Sequence, residues 1–144
     1  MNMVSTFMKQ PTLLWADDDP DELLIMHEVL QDIGSNHKVI EATNGKQVLA
    51  CLQQAKHTGV FPCLIVLDLN MPVLNGKETL SFIKQDPSFD GIPIVVFTTS
   101  NSLADRQYCE SHGTQMLTKP ITFDALKQIV EAFLHLCEVS VREQ

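Results

Sequence analysis

Asp17-Asp18-Asp19 follow the apolar run Leu13-Leu14-Trp15-Ala16, and a second apolar run, Cys63-Leu64-Ile65-Val66-Leu67, ends on Asp68. If both runs are neighbouring parallel strands, several carboxylates meet at one edge of a sheet. Like charges ~4 Å apart cost roughly 4 kcal/mol per pair at an effective dielectric near 20, so a cluster of this kind exists where a cation or a reaction uses it. Two further runs end on groups that do chemistry. Ile94-Val95-Val96-Phe97 breaks into Thr98-Thr99-Ser100, and Gln115-Met116-Leu117 leads to Lys119-Pro120. Carboxylates without His or Cys form a hard oxygen environment suited to Mg²⁺ or Mn²⁺. A carboxylate can also act as nucleophile toward phosphorus and form an aspartyl phosphate. Phosphoryl transfer asks for charge neutralisation and positioning more than for acid–base groups. A divalent ion and Lys119 would supply the first; Thr98 and backbone amides would supply the second.

Each of these residues has a plainer role open to it. Asp19 suits the N-cap of the following helix, and that is the reading preferred for it. Thr98 alone would pass as a turn former, and Lys119 alone as a surface lysine. Asp17, Asp18 and Asp68 differ because the strand pattern brings a third carboxylate to the first two. The combination carries the inference.

The elements that must position these groups are short apolar runs alternating with helical patterns. Strands are expected at residues 12–16, 38–42, 63–67, 94–97 and 115–117. Helices are expected at 21–33, 46–55, 77–84, 103–111 and from Thr122 to about 138, with Leu24, Val29 and Ile33 of the first near helical spacing. Gly34 and Gly113 read as helix stops and Thr122 as an N-cap. Five strand–helix units imply an α/β fold, a five-stranded parallel sheet with helices on both faces. A common doubly wound order is 2-1-3-4-5, with ligands at the carboxyl ends of the strands where the order reverses. In that order the first and third strands are neighbours, so the topology itself joins Asp17 and Asp18 to Asp68.

The chain has 144 residues, 44% hydrophobic and 19% charged, with a net charge of -8. That length suits one domain at 11–138, with residues 1–10 expected to form a poorly ordered arm and 139–144 a tail. No window is rich in Lys or Arg, which excludes the positive footprint of a nucleic-acid binder. No apolar stretch reaches the ~18 residues of a membrane span, and the first ten residues lack the core of a signal peptide. Cys51, Cys63, Cys109 and Cys137 are scattered without CxxC spacing and read as four reduced thiols in a cytoplasmic protein.

The segments Asp17-Asp18, Asp68-Leu69-Asn70-Met71-Pro72 with Gly76, Thr98-Thr99 and Lys119-Pro120 resemble the receiver domain of two-component response regulators, over about residues 12–136. The resemblance implies a flavodoxin-like receiver fold. It implies Mg²⁺ (or Mn²⁺) held by Asp17, Asp18, Asp68 and the main-chain carbonyl of Asn70. Asp68 would take a phosphoryl group from a sensor histidine kinase or phosphotransfer protein, Lys119 and Thr99 would contact that group, and Thr98 would rotate to report it. The wording Asp-Leu-Asn-Met-Pro and Thr-Thr-Ser is similar to stand-alone regulators that partner phytochrome-type kinases. The family commonly places Tyr or Phe three residues before the lysine. Met116 stands there instead; it can fill the space that Thr98 vacates but brings no aromatic switch. The resemblance also implies a cis Lys119–Pro120 bond, kinase docking on residues 24–29 of the first helix, and output through the face of the fourth helix, fifth strand and fifth helix.

The leading expectation is therefore a single-domain response regulator that is not an enzyme in its own right. The remaining residues are read as too few for an effector domain, so output would pass to a downstream protein or a homodimer, without nucleic acid or membrane. An aspartate-nucleophile phosphatase would want a second aspartate two residues after the first, and Asn70 stands there. A degenerate receiver acting as a phosphorylation-independent scaffold has only Met116 in its favour. A flavin module is disfavoured because the acidic strand ends would repel a phosphate.

Overall fold

The computed structural model describes residues 11–143; the expected N-terminal arm, 1–10, lies outside them. Along the chain come β1 (Thr12–Ala16), α1 (Pro20–Ile33), β2 (Lys38–Ala42), α2 (Gly45–Thr58), β3 (Leu64–Leu67), α3 (Gly76–Gln85), β4 (Ile94–Thr98), α4 (Leu103–Ser111), β5 (Gln115–Thr118) and α5 (Phe123–Glu143). Every strand pairing is parallel, and the order is β2-β1-β3-β4-β5, as the pattern predicts.

Side-chain alternation along the buried strands divides the core in two. Leu14, Ala16, Ile65, Leu67, Val96 and Met116 face one layer with Val48 and Leu52 of α2, Leu80 and Ile83 of α3 and Cys109 of α4. Leu13, Trp15, Leu64, Val66, Val95 and Phe97 face the other, with Met26 and Val29 of α1 and Val130, Phe133 and Cys137 of α5. Trp15, Phe97 and Phe133 meet edge to face in that second layer, with ring centroids 5.4–6.1 Å apart. Each fully buried Leu, Ile, Val or Phe contributes ~1.5–3 kcal/mol, so the two layers hold the strand ends rigidly enough to aim short side chains.

Helix punctuation follows the sequence in most places. Asp19 is the N-cap of α1, its side chain accepting from the Asp21 amide at 2.9 Å. Gly34 ends α1 at φ 77°, and Thr122 accepts from the Ala125 amide at 3.2 Å at the start of α5. Four readings need correction. The inward stripe of α1 is Leu23, Met26, Val29 and Leu30; Leu24, which the spacing grouped with Val29 and Ile33, is exposed, because two leucines stand side by side and only one of them can turn inward. A one-turn 3-10 helix at Pro87–Phe89, anchored by buried Phe89, was not foreseen. Helix α5 continues past residue 138 to Glu143, since Ser140 carries on the buried stripe of Val130, Phe133, Leu134 and Cys137. Cys63 and Cys137 are disulfide-bonded, with Cα atoms 4.7 Å apart, whereas Cys51 and Cys109 are free. The two sulfurs are separated by 74 residues and meet only because α5 packs across the start of β3, which spacing cannot reveal.

His37, between α1 and β2, has its Nδ1 2.8 Å from the Ser35 hydroxyl, while its buried Nε2 has no partner among the described residues. Burial holds its imidazole below the ordinary 6.5, against a smaller upward pull from Glu138. A histidine depressed in the folded state contributes stability above the unfolded value, and that stability is lost as pH falls through the folded one. Urea melts taken from about pH 7.5 to about pH 5 should therefore show a steeper loss of stability for the parent than for His37→Gln; parallel profiles would refute this account.

Candidate functional site

The register fixes where the acids emerge. Ala16 pairs with Leu67, and the next residues, Asp17 and Asp68, leave the sheet side by side, their amides donating to Ala42 and Ala16 carbonyls at 2.9 and 3.0 Å. Asp17 is 1% exposed and Asp68 6%, while Asp18 is exposed. One carboxylate oxygen from each lies within 4.8 Å of the others. Lys119, at the end of β5, reaches across β4. Its Nζ donates to Asp17 Oδ2 at 2.6 Å and to Asp68 Oδ2 at 3.0 Å, and stands 4.0 Å from Glu22 Oε2.

Burial pushes Asp17 up from the usual aspartate range, more than the Lys119 hydrogen bond, the Asp19 amide and the lysine's charge pull it down. Burial also works against the Lys119 ammonium, yet its hydrogen bond to Asp17 and the charges of Asp68 and Asp17 outweigh it and raise the lysine. The lysine is thus locked in its charged form. Glu22, in the first turn of α1, is raised by burial against the pull of Lys119, with the neighbouring acids adding to the rise. Sequence reasoning passed over Glu22; its position in the turn after the acid run was the available signal.

Thr98 is fully buried at the end of β4, and its Oγ1 accepts from the Ser100 amide at 3.3 Å. Thr99 beside it is exposed. Val96 pairs with Met116 and Thr98 with Thr118, so Met116 lies below Thr98 on the same sheet face, 4% exposed. The expected cis bond is absent: no described residue has a cis peptide. Lys119 reaches both acids regardless, because its amide donates to the Thr98 carbonyl at 2.7 Å and prolongs the β4–β5 pairing, and its four-carbon stem spans the rest.

The loop from Asp68 to α3 is built tightly. Val73 takes φ 69°, and the Leu74 amide donates to the Pro72 carbonyl at 2.7 Å, closing a three-residue turn. A β-branched residue in that region is strained by ~1–3 kcal/mol. The turn presents the Leu74 carbonyl to the Gly45 amide at 3.0 Å and so ties the loop to α2. Gly76 must lack a side chain, because a Cβ there would fall 2.2 Å from the Asp68 carbonyl oxygen. A cleft of about 540 Å³ opens beside the acids, lined by Asp18, Leu69, Asn70, Met71, Asn75, Lys77 and Asp105. Lys77 Nζ and Asp105 Oδ1 pair across it at 2.6 Å; the hydrogen bond raises the lysine and lowers the aspartate, which the Ser100 hydroxyl lowers further. Neither residue was singled out from sequence.

A doubly wound parallel sheet whose β1–β3 switch point carries three carboxylates and a reaching lysine defines a receiver-type signalling domain. The profile of the response regulator receiver domain matches residues 13–131, and the chain belongs to that family. It is 35% identical over 123 residues to the response regulator Rcp1 of Synechocystis sp., covering 83% of each chain. It is also 35% identical over 121 residues to a probable methanogenesis regulatory protein, FilR2, of Methanothrix harundinacea, covering 83% of this chain and 77% of that one. Among solved structures, the phosphorylated cyanobacterial phytochrome response regulator RcpA superposes with a TM-score of 0.78 at 29% identity, covering 87% and 91% of the two chains. The Mn²⁺-bound form of Rcp1 gives 0.74 at 32% identity, covering 85% and 90%. Among the described residues, no helix is long and apolar enough to cross a membrane.

The two members of the acid pair should respond oppositely to truncation. Asp17→Ala strands the Asp19 amide and removes one of the lysine's partners, and should cost about 1–3 kcal/mol. Asp18 makes no hydrogen bond or ion pair among the described residues, so Asp18→Ala relieves like-charge repulsion and should leave metal-free stability unchanged or higher. Thermal melts in a chelating buffer test this; a clear loss of stability in Asp18→Ala would contradict the electrostatic account.

Proposed function

We propose that this chain is a phosphorylatable receiver. Asp68 accepts a phosphoryl group from a histidine kinase or phosphotransfer protein, in a reaction that uses Mg²⁺ or Mn²⁺. The observation that carries the reading is Lys119 bridging Asp17 and Asp68 at 2.6 and 3.0 Å beside the third acid, Asp18. An all-oxygen donor set with ligand atoms within 4.8 Å of one another fits a hard divalent cation. Asp17, Asp18 and Asp68 would hold it together with the main-chain carbonyl of Asn70, a residue that lines the adjoining cleft. When bound, the ion neutralises charge on the phosphoryl oxygens.

The protein's own groups do the rest. The Asp68 oxygen attacks phosphorus of the donor's phosphoimidazole, whose other ring nitrogen is protonated; the P–N bond breaks as the P–O bond forms, its electron pair stays on nitrogen, and a neutral imidazole leaves. Lys119, kept charged by its acid partners, exchanges its contact with Asp68 for a phosphoryl oxygen. Thr98 turns its hydroxyl to another phosphoryl oxygen and gives up its bond from the Ser100 amide, and the exposed Thr99 flanks the group. Met116 fills the space behind Thr98. Because the chain catalyses only its own labelling and release, it is a signalling component rather than an enzyme acting on a separate substrate.

Likeness to RcpA, a cyanobacterial phytochrome response regulator, supports a phytochrome-type kinase as partner. Output through α4, β5 and α5 to a downstream protein or a second copy is supported by Thr98 and Met116 sharing one sheet face beside those elements. A cytoplasmic setting rests on this partner class; the Cys63–Cys137 bond gives it no support, since disulfides are uncommon in reducing compartments. Kinase docking on α1 is narrower than residues 24–29: Met26 and Val29 are buried, whereas Leu24 and Ile25 are 59% and 38% exposed.

Incubation with acetyl phosphate and Mg²⁺ should add one phosphoryl group by intact mass, and Asp68→Asn should add none; equal labelling of both would defeat the assignment. Leu24→Glu with Ile25→Glu should slow transfer from a cognate kinase while sparing acetyl phosphate labelling. Equal loss with both donors would exclude α1 as the docking surface.

A further inference from the structure

Met116 is buried and carries no hydroxyl, so whatever Thr98 does on phosphorylation, residue 116 has no polar group with which to relay it to the surface. A different polar path starts at the same threonine. Thr98 Oγ1 accepts from the Ser100 amide at 3.3 Å, and Ser100 Oγ donates to Asp105 Oδ2 at 2.5 Å. Asp105 Oδ1 pairs with Lys77 Nζ at 2.6 Å. The chain of contacts thus runs from the buried end of β4, through the first turn of α4, across the mouth of the cleft to the first turn of α3. It is cross-braced at each point. Ser100 Oγ also accepts from the Ser102 amide at 3.2 Å, and Thr118 Oγ1 donates to the Ser100 carbonyl at 3.3 Å. Tyr108 Oη donates to the Lys77 carbonyl at 2.7 Å, with the Lys77 ammonium 5.4 Å from its ring centroid.

We propose that Lys77, Asp105 and Ser100 form a strap that holds the β4–α4 loop and α4 against α3 in the unphosphorylated protein, and that phosphorylation is read out by its release. The inference rests on the phosphorylation of Asp68 proposed above. When the Thr98 hydroxyl turns to the phosphoryl group, the Ser100 amide loses its acceptor and the loop is free to shift. Ser100 Oγ then leaves Asp105, Asp105 leaves Lys77, and the inner side of α4's first turn opens to a partner. The signal leaves through broken polar contacts rather than through a rotating ring. Lys77, Asp105 and Ser100 are positioning residues, since none touches the acids.

Tyr108 is the single tyrosine in the chain, so 3-fluorotyrosine labelling gives one ¹⁹F resonance at the strap. Labelled protein would be treated with acetyl phosphate and Mg²⁺, with intact mass read on the same sample. The parent resonance should shift as the phosphorylated fraction rises. In Asp105→Asn the resonance should begin at the released position and stay there while the mass gain persists. Ser100→Ala, which alters nothing that touches Tyr108, should become phosphorylated with the response of the resonance lost. A mass gain with an unmoved parent resonance overturns the strap alone, as does a parent-like response in both variants. Absence of any mass gain overturns the phosphorylation reading and the strap with it.

Discussion

The close approach of Asp17 and Asp68 is the constraint on which the molecule depends. Two buried carboxylates side by side, with a third exposed next to them, repel one another unless a cation accompanies them. Lys119 is that cation in the absence of a metal, and it is the reason β5 must lie within a lysine's reach of β1. The sheet order, the hydrogen bond from the Lys119 amide to the Thr98 carbonyl and the two packed layers all serve this juxtaposition. Were β5 not paired to β4, the ammonium would have no fixed origin and the acids no partner.

Strain and close approach concentrate on the Asp68 side of the site. Val73 at positive φ and Gly76 against the Asp68 backbone hold the loop in one path, so that Leu69 and Asn70 line the cleft. The Asp17 side is relaxed by comparison: its carboxylate accepts from the Asp19 amide, and Asp19 caps α1. One wall is therefore fixed by backbone geometry and the other by helix capping. On the third side the loop is held by Ser100 and a surface ion pair, and α4 behind it buries Cys109; polar ties of this kind break at less cost than a packed apolar layer.

Legibility in the sequence followed locality. The strand runs, Gly34 as a helix stop, Asp19 as a cap and the topological meeting of Asp17, Asp18 and Asp68 could be read because each depends on residue type, period 2 or 3.6, and one rule of chain connection. Asp68 and Lys119 were legible as strand-end residues for the same reason. The register of α1 was missed by one position because Leu23 and Leu24 are chemically identical, and only packing on Trp15's layer decides between them.

Residue order by itself determined an α/β sheet in the order 2-1-3-4-5 and the chemical character of its active edge, since alternation and strand–helix rhythm leave few other topologies. Tertiary structure alone decided the partners: Glu22 near Lys119, Lys77 with Asp105, Cys63 with Cys137, and a trans Lys119–Pro120 bond that still delivers the ammonium. Such pairings join residues far apart along the chain through distances of a few ångströms. They follow from how the helices settle on the sheet, a collective packing outcome that no local pattern encodes.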